Sequence, residues 1–329
     1  MMKKVFILGG TGFLGYYTAN ELLARGYKVS MLSLPPMPSA GLFPDEVECA
    51  LGDINTYSDE QVIELLSDVY AFVYAAGADE RTVPAPPAMS FFYEANVRPT
   101  QRLARLARRA GVKKFVLFGS FFSHFSEEWS DLELPKHNAY PRTRLLQEEI
   151  AIMEGEGAMD VMTLRLPYIF GVMPGRTPLW TMFVEQVKGK DIVHVLQGGT
   201  AMVTAQQVAE ATVGAIENGA HQGKYAICDT NMKYSEFHQM IADALGQTDT
   251  KIQVVPLEAM KPQMEQYDAY GMANGQEHGI HLGYTAEIQN RDAYLDPNDT
   301  MPLLRINKTD IRAAIKETLK VCVEALEGK

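Results

Sequence analysis

Residues 5–15 read VFILGGTGFLG, an apolar run that ends abruptly in a glycine-rich turn. A short apolar run of this kind is typical of a strand buried in a parallel sheet. The following residues have helical spacing, with Leu14, Thr18 and Leu22 on one stripe, and Gly26 stands where such a helix would end. A strand, a glycine turn and a helix in this order form the first half of a βαβ unit that binds a dinucleotide.

The glycines have separate physical roles in such a turn. Gly9 or Gly10 lets the chain turn tightly off the strand, because glycine adopts backbone conformations that other residues avoid. Gly12 lets the backbone approach a pyrophosphate, and Gly15 lets the helix lie close to the sheet. The free amides and the positive end of the helix would then face the phosphates. The sequence therefore predicts that this turn binds a dinucleotide.

Composition and charge narrow the class of protein. The chain has 329 residues, of which 47% are hydrophobic, so it can bury a large core. Its formal net charge of −11 argues against DNA or RNA as the main partner. No apolar stretch reaches the roughly 18 residues that span a membrane, so we expect no membrane partner. The three cysteines follow no disulfide or metal spacing, which favours a reduced, cytoplasmic setting and no bound metal.

The order of apolar runs along the chain predicts the architecture. Strands are expected at residues 5–8, 28–32, 47–51, 71–76, 114–118 and 161–165, with helices between them at 61–66, 91–109 and 140–153. Strands and helices that alternate with short connections favour an α/β fold built on a doubly wound parallel sheet, the Rossmann arrangement. Pro99 should kink the helix that contains it, because proline cannot donate a backbone hydrogen bond.

The pattern loosens after residue 171 and predicts a second part of the chain. We expect a dinucleotide-binding domain, a smaller C-terminal α/β lobe that binds the substrate, and a closing helix. Their expected bounds are 1–171, rejoined by about 200–228, for the domain; 172–199 and 229–305 for the lobe; and 306–329 for the helix. Residues 246–302 are rich in Met, Tyr, Gly and His, and we expect irregular structure there.

The end of the second strand bears on the choice of cofactor. An acidic residue about twenty positions past the glycines usually contacts the ribose hydroxyls of NAD, and Ser33 occupies that place. The interval between Lys28 and Arg81 contains no Lys or Arg, and acidic residues crowd it. A 2′-phosphate would meet no obvious cation there. The sequence therefore favours NAD over NADP.

Three side chains suggest chemistry beside the cofactor. Ser120 follows the strand predicted at 114–118, at the edge where parallel sheets place their ligands. Tyr140 and Arg144 are four residues apart, so on a helix they would lie one turn apart on the same face. A hydroxyl, a phenol and a cation beside a nicotinamide ring form a site for an alcohol or a carbonyl. Tyr140 would transfer the proton and Ser120 would hold the substrate oxygen.

Six short segments carry a combined pattern. They are GGTGFLG at 9–15, Gly52-Asp53-Ile54, Ala75-Ala76-Gly77, Asn96-Val97-Arg98-Pro99-Thr100, Gly119-Ser120 and LRLPYIFG at 164–171. Together they resemble the extended short-chain dehydrogenase/reductases, the NAD-dependent epimerase/dehydratase family, over about residues 3–245. The resemblance implies a cofactor site made of Gly9, Gly12, Phe13, Leu14, Gly15, Ser33, Asp53, Ile54, Ala75, Ala76, Gly77, Asn96, Tyr140, Arg144, Pro167 and Ile169.

The chain departs from this family in its active motif, besides carrying Pro99 where the family has a glycine. The family's active motif is Tyr-x-x-x-Lys, whereas Arg144 stands in the place of the lysine. A guanidinium favours a nearby phenolate as an ammonium does, and would lower the pKa of Tyr140. Its bulkier planar fork, however, need not reach both hydroxyls of the nicotinamide ribose.

Two functions follow from the sequence. The first is an NAD(P)-dependent oxidoreductase or epimerase that acts on a hydroxyl or carbonyl of a small molecule, such as a nucleotide sugar or a sterol- or flavonol-like ketone. The alternative is a catalytically idle NAD(P)-binding sensor or interaction protein. Ser123, His124 and Arg176 are further candidates for contact with the substrate. The resemblance also implies a homodimer in which the helices 91–110 and 140–153 form a four-helix bundle.

Overall fold

Seven parallel strands form the main sheet of the protein, which the computed structural model describes from residue 2 to residue 328. They are β1 (Lys4–Leu8), β2 (Lys28–Ser33), β3 (Glu48–Leu51), β4 (Ala71–Tyr74), β5 (Lys114–Ser120), β6 (Asp160–Leu166) and β10 (Gly223–Ala226). Their order in the sheet is β10-β6-β5-β4-β1-β2-β3. The chain leaves β1 in one direction, then returns to build the other side from β4. This reversal opens a crevice at the carboxyl ends of β1 and β4.

Helices cover both faces of this sheet. One face packs on α1 (Phe13–Ala24) and α9 (Ala205–Asn218), and the other packs on α2 (Asp59–Leu65), α4 (Arg98–Ala110) and α7 (Ala139–Gly155). The buried side chains of each set form a separate apolar core with the strand residues that point towards them. This arrangement confirms the predicted α/β fold with a doubly wound parallel sheet.

A second, smaller group of strands follows β6. The strands β7 (Tyr168–Phe170), β9 (Gly199–Thr204), β11 (Thr230–Lys233) and β13 (Asp292–Ala293) form a mixed sheet, and β8 (Ile192–Val195) pairs in parallel with β12 (Lys251–Val254). The helices α8 (Thr181–Val187), α10 (Tyr234–Ala244) and α14 (Ile311–Leu326) pack with these strands around an apolar core. Because β7 follows the carboxyl end of β6 after one residue, this lobe begins at the edge of the sheet where ligands bind.

The prediction of irregular structure over residues 246–302 is wrong. Besides β12, this segment contains the long helix α11 (Leu257–Ala273) and the shorter helix α12 (Leu282–Gln289). The only residue that α11 buries is Gly271, and it contains Pro262 in its interior. A helix without an apolar stripe has no periodic signal in the sequence, which is why the pattern missed it.

The single helix predicted at 91–109 consists of three consecutive segments. They are α3 (Ala88–Phe92), a π-helical turn (Tyr93–Val97) and α4. Pro99 lies in the first turn of α4, where its missing amide proton costs no intrahelical hydrogen bond. The wide turn before it takes the place of the predicted kink, and turns of this kind are frequent at functional sites.

The protein also contains three short helices, α5 (Phe121–Glu128), α6 (Leu134–His137) and α13 (Met301–Leu304). The closing helix begins at Ile311, later than the expected residue 306, because the carboxylate of Asp310 accepts a hydrogen bond from the Ala313 amide and caps its start. Within residues 2–328, no helix combines the length and apolar character needed to cross a membrane.

Candidate active site

The glycine turn forms a tightly packed cradle at the start of α1. Gly9 has a φ of +88°, and a Cβ atom there would lie 2.5 Å from the Ala75 carbonyl oxygen. A Cβ at Gly15 would overlap the Gly9 carbonyl oxygen and lie 2.6 Å from Gly10 Cα. Gly12 caps α1 without any side-chain hydrogen bond. The start of α1 therefore has no side-chain cap, which suits a turn that binds a diphosphate through its free amides.

Ser33 supports this cradle from the end of β2. Its buried hydroxyl accepts a hydrogen bond of 3.0 Å from the Thr11 amide in the middle of the glycine turn. The short side chain thus holds the turn against the sheet. At the position expected beside the ribose, the chain thus has a neutral hydroxyl that is bonded to the glycine turn.

Two further segments that were predicted to bind the cofactor lie at the carboxyl ends of β3 and β4. Asp53 begins the short turn after β3, and its carboxylate accepts hydrogen bonds of 2.9 Å from the Asn55 amide and side chain. Ile54 is buried next to it. Ala75, Ala76 and Gly77 directly follow β4. All of these residues therefore follow the carboxyl ends of β3 and β4, at the edge of the sheet where its ligands bind.

Asn96 fixes the loop that follows β4. It lies in the π-helical turn, is fully buried, accepts a 2.8 Å hydrogen bond from the Ala78 amide and donates a 3.0 Å bond to the Ala78 carbonyl. Gly77 has a φ of +131°, and a Cβ there would lie 2.7 Å from the Asn96 Oδ1 atom. Asn96, predicted as a cofactor residue, thus holds the backbone of the loop that borders the crevice.

Ser120 and Tyr140 meet beside the carboxyl end of β5. Ser120 is the last residue of β5, and Tyr140 lies in the first turn of α7 with 4% of its surface exposed. The Ser120 hydroxyl is close enough to hydrogen-bond with the phenol and lower its pKa. The ring of Tyr140 packs edge-on against Phe92 and Phe122, with centroids 5.5 and 6.1 Å away. The phenol is therefore held in one orientation.

The backbone of Tyr140 is bound by the C-terminal lobe. Its amide donates a 2.8 Å hydrogen bond to the Gly279 carbonyl oxygen. A Cβ at Gly279 would overlap the ring of Phe92 and lie 3.0 Å from the Tyr140 Cβ atom. Next to Gly279, the His278 ring bonds to Asp268 of α11 over 3.1 Å. The lobe thus reaches the predicted proton donor directly.

Arg144 lies one helical turn beyond Tyr140, as predicted. Its guanidinium carbon is 5.7 Å from the centre of the Tyr140 ring, and 6% of the residue is exposed. One Nη atom donates to the Phe118 carbonyl oxygen of β5. The Nε atom is buried without a hydrogen-bond partner among the described residues. A buried donor without a partner is expected where a ligand completes the site.

The charges around Tyr140 act in opposite directions. Burial raises the pKa of Tyr140 to about 12, although the Arg144 guanidinium and the Ser120 hydroxyl act to lower it. The carboxylates of Glu80 and Asp79 reinforce the rise. The charge of Arg144 acts to lower the pKa of Tyr140, as expected from the sequence. Desolvation of the phenol has a larger effect, so the pKa rises. At neutral pH the phenol holds its proton.

A buried ion pair anchors the helix that carries these residues. Glu148 of α7 is fully buried and accepts a 2.7 Å hydrogen bond from an Nη atom of Arg165 in β6. Glu127 of α5 binds the other Nη atom of the same guanidinium, also over 2.7 Å. These bonds fix α7 relative to β6 and α5, and with it the placement of Tyr140. No local pattern in the sequence marks this pair, because its residues meet only across the fold.

Glu80 is the residue near the phenol that the sequence analysis did not identify. It lies in the loop after β4, and its carboxylate is close enough to Tyr140 and Tyr168 to raise the pKa of both phenols. Burial raises the pKa of Glu80 itself, and the Arg144 charge opposes that rise. The only signal in the sequence is a carboxylate in a loop after a strand, which is too common to predict a site.

The remaining predicted residues lie around this cluster. Pro167 is buried after β6, and Ile169 lies in β7. Ile169 and Arg176 line a small cavity of about 120 Å³ together with Phe13 of the cradle. Arg176, predicted as a contact to the substrate, is exposed at this cavity.

The two candidates in α5 differ from each other. Ser123 is fully buried, and its hydroxyl has no hydrogen-bond partner among the described residues. The His124 ring lies 3.0 Å from the Glu128 carboxylate one turn along the same helix.

Between residues 2 and 328 no group of His, Cys, Asp or Glu side chains has the arrangement of a metal site.

Known proteins resemble this chain in sequence and in fold. Sterol demethylase protein B of Methylococcus capsulatus is 24% identical over 261 residues, which are 76% of this chain and 77% of that protein. The sterol-4-alpha-carboxylate 3-dehydrogenase, decarboxylating, of Homo sapiens is 25% identical over 210 residues, which are 61% of this chain. The match covers 53% of that enzyme, so the chain spans about half of its length. The solved UDP-N-acetylglucosamine 4-epimerase from Bacillus cereus has a TM-score of 0.67 and 20% identity, with 96% of this chain and 95% of that chain covered, which shows a shared fold.

Residues 5–228 match the NAD dependent epimerase/dehydratase family. The match includes the glycine cradle, Ser120, Tyr140 and Arg144, and it spans more than half of the chain. The match confirms the family that the motifs resemble. It also confirms the expected cofactor, because the family is described as NAD dependent. The protein therefore belongs to the NAD dependent epimerase/dehydratase family, the extended type of short-chain dehydrogenase/reductase.

Proposed function

We propose that the protein is an NAD-dependent oxidoreductase or epimerase that acts on a hydroxyl or carbonyl of a small molecule, with Tyr140 as the acid and base. One observation carries the proposal. The Tyr140 phenol is buried at the carboxyl edge of the sheet, within reach of the Ser120 hydroxyl and with the Arg144 guanidinium 5.7 Å from its ring centre. A hydroxyl, a phenol and a cation in this arrangement suit proton transfer to or from a substrate oxygen.

The chain's own residues would hold the cofactor along the crevice. The amides of the cradle would bind its diphosphate, and the unpartnered Nε atom of Arg144 would donate to the ribose on the nicotinamide side. Ser33 and the absence of cations between Lys28 and Arg81 favour NAD over NADP. When bound, the nicotinamide would supply the hydride or accept it.

The pKa of Tyr140 favours one direction of proton transfer. With a pKa of about 12, the phenol is protonated at neutral pH and suited to donate its proton to the oxygen of a carbonyl that is being reduced. Oxidation of an alcohol needs the phenolate instead. The phenolate fraction rises about tenfold with each pH unit below the pKa, so oxidation should speed up as the pH rises.

The names of the relatives suggest two substrate classes. The two curated relatives act on sterols according to their names, and the structural neighbour from Bacillus cereus is named as an epimerase of UDP-N-acetylglucosamine. The proposed hydride chemistry suits both classes, because each presents a secondary hydroxyl or a ketone. A sterol- or flavonol-like ketone and a nucleotide sugar are therefore the two candidate substrates.

An idle NAD-binding module is the alternative function, and the placement of Arg144 favours it. The guanidinium is already bonded to the Phe118 carbonyl oxygen, and its planar fork differs from the family's lysine in reach. Such a protein would bind NAD without turning over any substrate. Its function would then lie in sensing the cofactor or in contact with another protein.

Replacing Tyr140 by phenylalanine tests the proposal. We expect Tyr140→Phe to lower kcat by about 10²–10⁴-fold, because general acid–base catalysis contributes that much, while the affinity for NAD changes little. The measurements are absorbance at 340 nm with sterols as substrates, chromatographic separation of the sugar products with UDP-sugars, because an epimerase forms no net NADH, and calorimetric titration with NAD. Tyr267→Phe, an exposed tyrosine of α11, is the control and should keep full activity.

The outcomes separate the two functions. Undiminished turnover in Tyr140→Phe would refute the assigned role of the phenol. NAD binding without turnover of any substrate by the unmodified protein would support the idle module instead.

A further inference from the structure

The segment at 277–283 leads from α11 into α12 and runs along the candidate active site. At its start, the Glu277 amide donates to the Pro84 carbonyl oxygen over 2.9 Å, and the Glu277 carboxylate accepts a 2.8 Å hydrogen bond from the Ala88 amide. These partners lie in the loop after β4 and at the start of α3. The segment is therefore fastened to the elements that border the crevice.

The start of α7 depends on this segment for its hydrogen bonds. The first amides of a helix have no partner within the helix, and the residue before the helix commonly supplies one from its side chain. Asn138 occupies that place, but its Oδ1 atom accepts a 3.0 Å hydrogen bond from the His281 amide. The Tyr140 amide donates to the Gly279 carbonyl oxygen over 2.8 Å. Helix and segment have thus exchanged partners, so the placement of Tyr140 follows that of Gly279.

Close packing also couples the segment to the phenol. A Cβ atom at Gly279 would overlap the ring of Phe92 and lie 3.0 Å from the Tyr140 Cβ atom. The neighbouring Ile280 is 6% exposed and packs in the same apolar cluster as Phe92 and Tyr140. Because protein interiors are close-packed, a shift of this segment would either move Tyr140 or leave its amide without a partner.

Asp268 of α11 binds the segment on both sides of Gly279. Its Oδ1 atom lies 3.1 Å from the His278 Nδ1 atom, and its Oδ2 atom accepts a 3.1 Å hydrogen bond from the Gly283 amide. The His281 ring lies 4.0 Å from the same carboxylate. The Asp268 side chain is only 14% exposed, so water competes little for these bonds. One carboxylate thus holds the part of the segment that carries the Gly279 carbonyl.

We propose that Asp268 is a positioning residue for Tyr140, which acts through the segment at 277–283 and does not touch the substrate. The inference rests on the proposed function and adds a residue on which that function depends. Of the residues of α11, all of them described, only Gly271 is buried, so this helix has no apolar face to hold the segment. The polar bonds of Asp268 do so instead, and their removal would release the Gly279 carbonyl.

Amide hydrogen exchange tests this link without any substrate. In Asp268→Ala we expect the Tyr140 amide to exchange at least about tenfold faster than in the unmodified protein, because its bond to Gly279 opens more often. NMR spectra of the NAD-loaded protein in D₂O measure the exchange rate of each amide. The amide of Val116, which is fully buried in β5, should keep its protection, and this separates a local effect from general unfolding.

Two further variants separate the role of Asp268 from that of other carboxylates on the helix. Glu258→Ala removes an exposed carboxylate in the first turn of α11 and is the matched control, which should change neither exchange nor activity. Asp268→Asn keeps an acceptor for the Gly283 amide and places an amide donor opposite the His278 ring. It should therefore keep the exchange rate of the Tyr140 amide within about threefold of that in the unmodified protein.

Turnover of UDP-galactose or of a 3β-hydroxysterol shows whether this placement matters for the reaction. Asp268→Ala should lower kcat at least about tenfold, because a misplacement of about 1 Å can cost about 10²-fold in rate, while the dissociation constant for NAD stays within about twofold. In the Tyr140→Phe background the same substitution should lower the residual rate by no more than about twofold, since it acts through the phenol. A general loss of structure would lower both rates by the same factor.

The inference is overturned if the Tyr140 amide exchanges equally fast in Asp268→Ala and in the unmodified protein, or if Asp268→Ala lowers kcat by the same factor with and without the phenol. Failure of the proposed function gives a different result. In that case the exchange of the Tyr140 amide still accelerates in Asp268→Ala, yet the unmodified protein turns over neither substrate.

Discussion

The glycine cradle and the cluster around Tyr140 lie at the same edge of one sheet but are built in opposite ways. The cradle consists of backbone and works because side chains are missing, as the overlap of a Cβ at Gly15 with Gly9 shows. The cluster consists of side chains from β5, α7 and the loop after β4, and it works through their charges. We therefore expect the cradle to be sensitive to any added atom, and the cluster to be sensitive to changes of charge.

The largest effect should come from adding one carbon to the cradle. In Gly15→Ala the new Cβ would lie 2.6 Å from Gly10 Cα, so α1 has to move off the turn. A displacement of this size should weaken NAD binding by about 100-fold or more. Calorimetric titration with NAD measures the change.

Gly111→Ala is the control for this substitution. Gly111 ends α4 with a φ of +89°, and a Cβ there would meet no atom within 4 Å. The left-handed backbone should reduce the free energy of unfolding by about 1–2 kcal/mol without altering NAD affinity. Equal NAD affinity in Gly15→Ala and in the unmodified protein would contradict the role of the cradle.

A smaller effect should come from changing the charge in the cluster. Arg144 acts to lower the pKa of Tyr140, so Arg144→Met should raise that pKa further. The fraction of phenolate, and with it kcat/KM for oxidation at pH 8, should fall about tenfold for each pH unit of that rise. Steady-state rates of NADH formation across pH 7–9 measure the loss.

Arg144→Lys keeps the charge and restores the family's motif. It loses the bond to the Phe118 carbonyl oxygen, and its rate should stay within about threefold of that of the unmodified protein, because the charge and not the fork acts on the phenol. If the Met variant were as active as the Lys variant, the charge of Arg144 would have no part in the reaction.

The smallest effect on activity should come from the outer side of α7. Tyr140 and Arg144 are buried on the inner face of this helix, whereas Leu146 and Met153 are 42% and 71% exposed. We propose that the exposed face of α7, together with α4, forms the interface of a homodimer. Replacing Leu146 and Met153 by lysine should separate the dimer into monomers and change kcat/KM by no more than about twofold. Light scattering should give twice the chain mass of 36.6 kDa for the unmodified protein. For the double lysine variant it should give the mass of one chain. A monomer in the unmodified protein would rule out this dimer.

The parts of the protein that local sequence determines were predictable. The spacing of glycines in residues 9–15 predicted the cradle, and the distance of four residues predicted that Tyr140 and Arg144 share one face of α7. The doubly wound sheet followed from the alternation of strands and helices.

The parts that depend on contacts across the fold were not predictable. The pKa of Tyr140 depends on burial against Phe92 and Phe122 and on Glu80 in a distant loop, so the cation at Arg144 could not decide its direction alone. Helix α11 escaped detection because it buries only Gly271. Burial and charge balance arise only once separate segments have come together.

The hydrogen bond from Tyr140 to Gly279 has a consequence for how this protein could acquire new substrates. Exchange of residues 257–289 for the matching segment of a relative would replace the carbonyl that binds the Tyr140 amide. With the substrate bound by this lobe, as the sequence predicts, recognition of a new molecule and alignment of the phenol would be inherited together, and a productive chimera would have to keep a glycine at position 279.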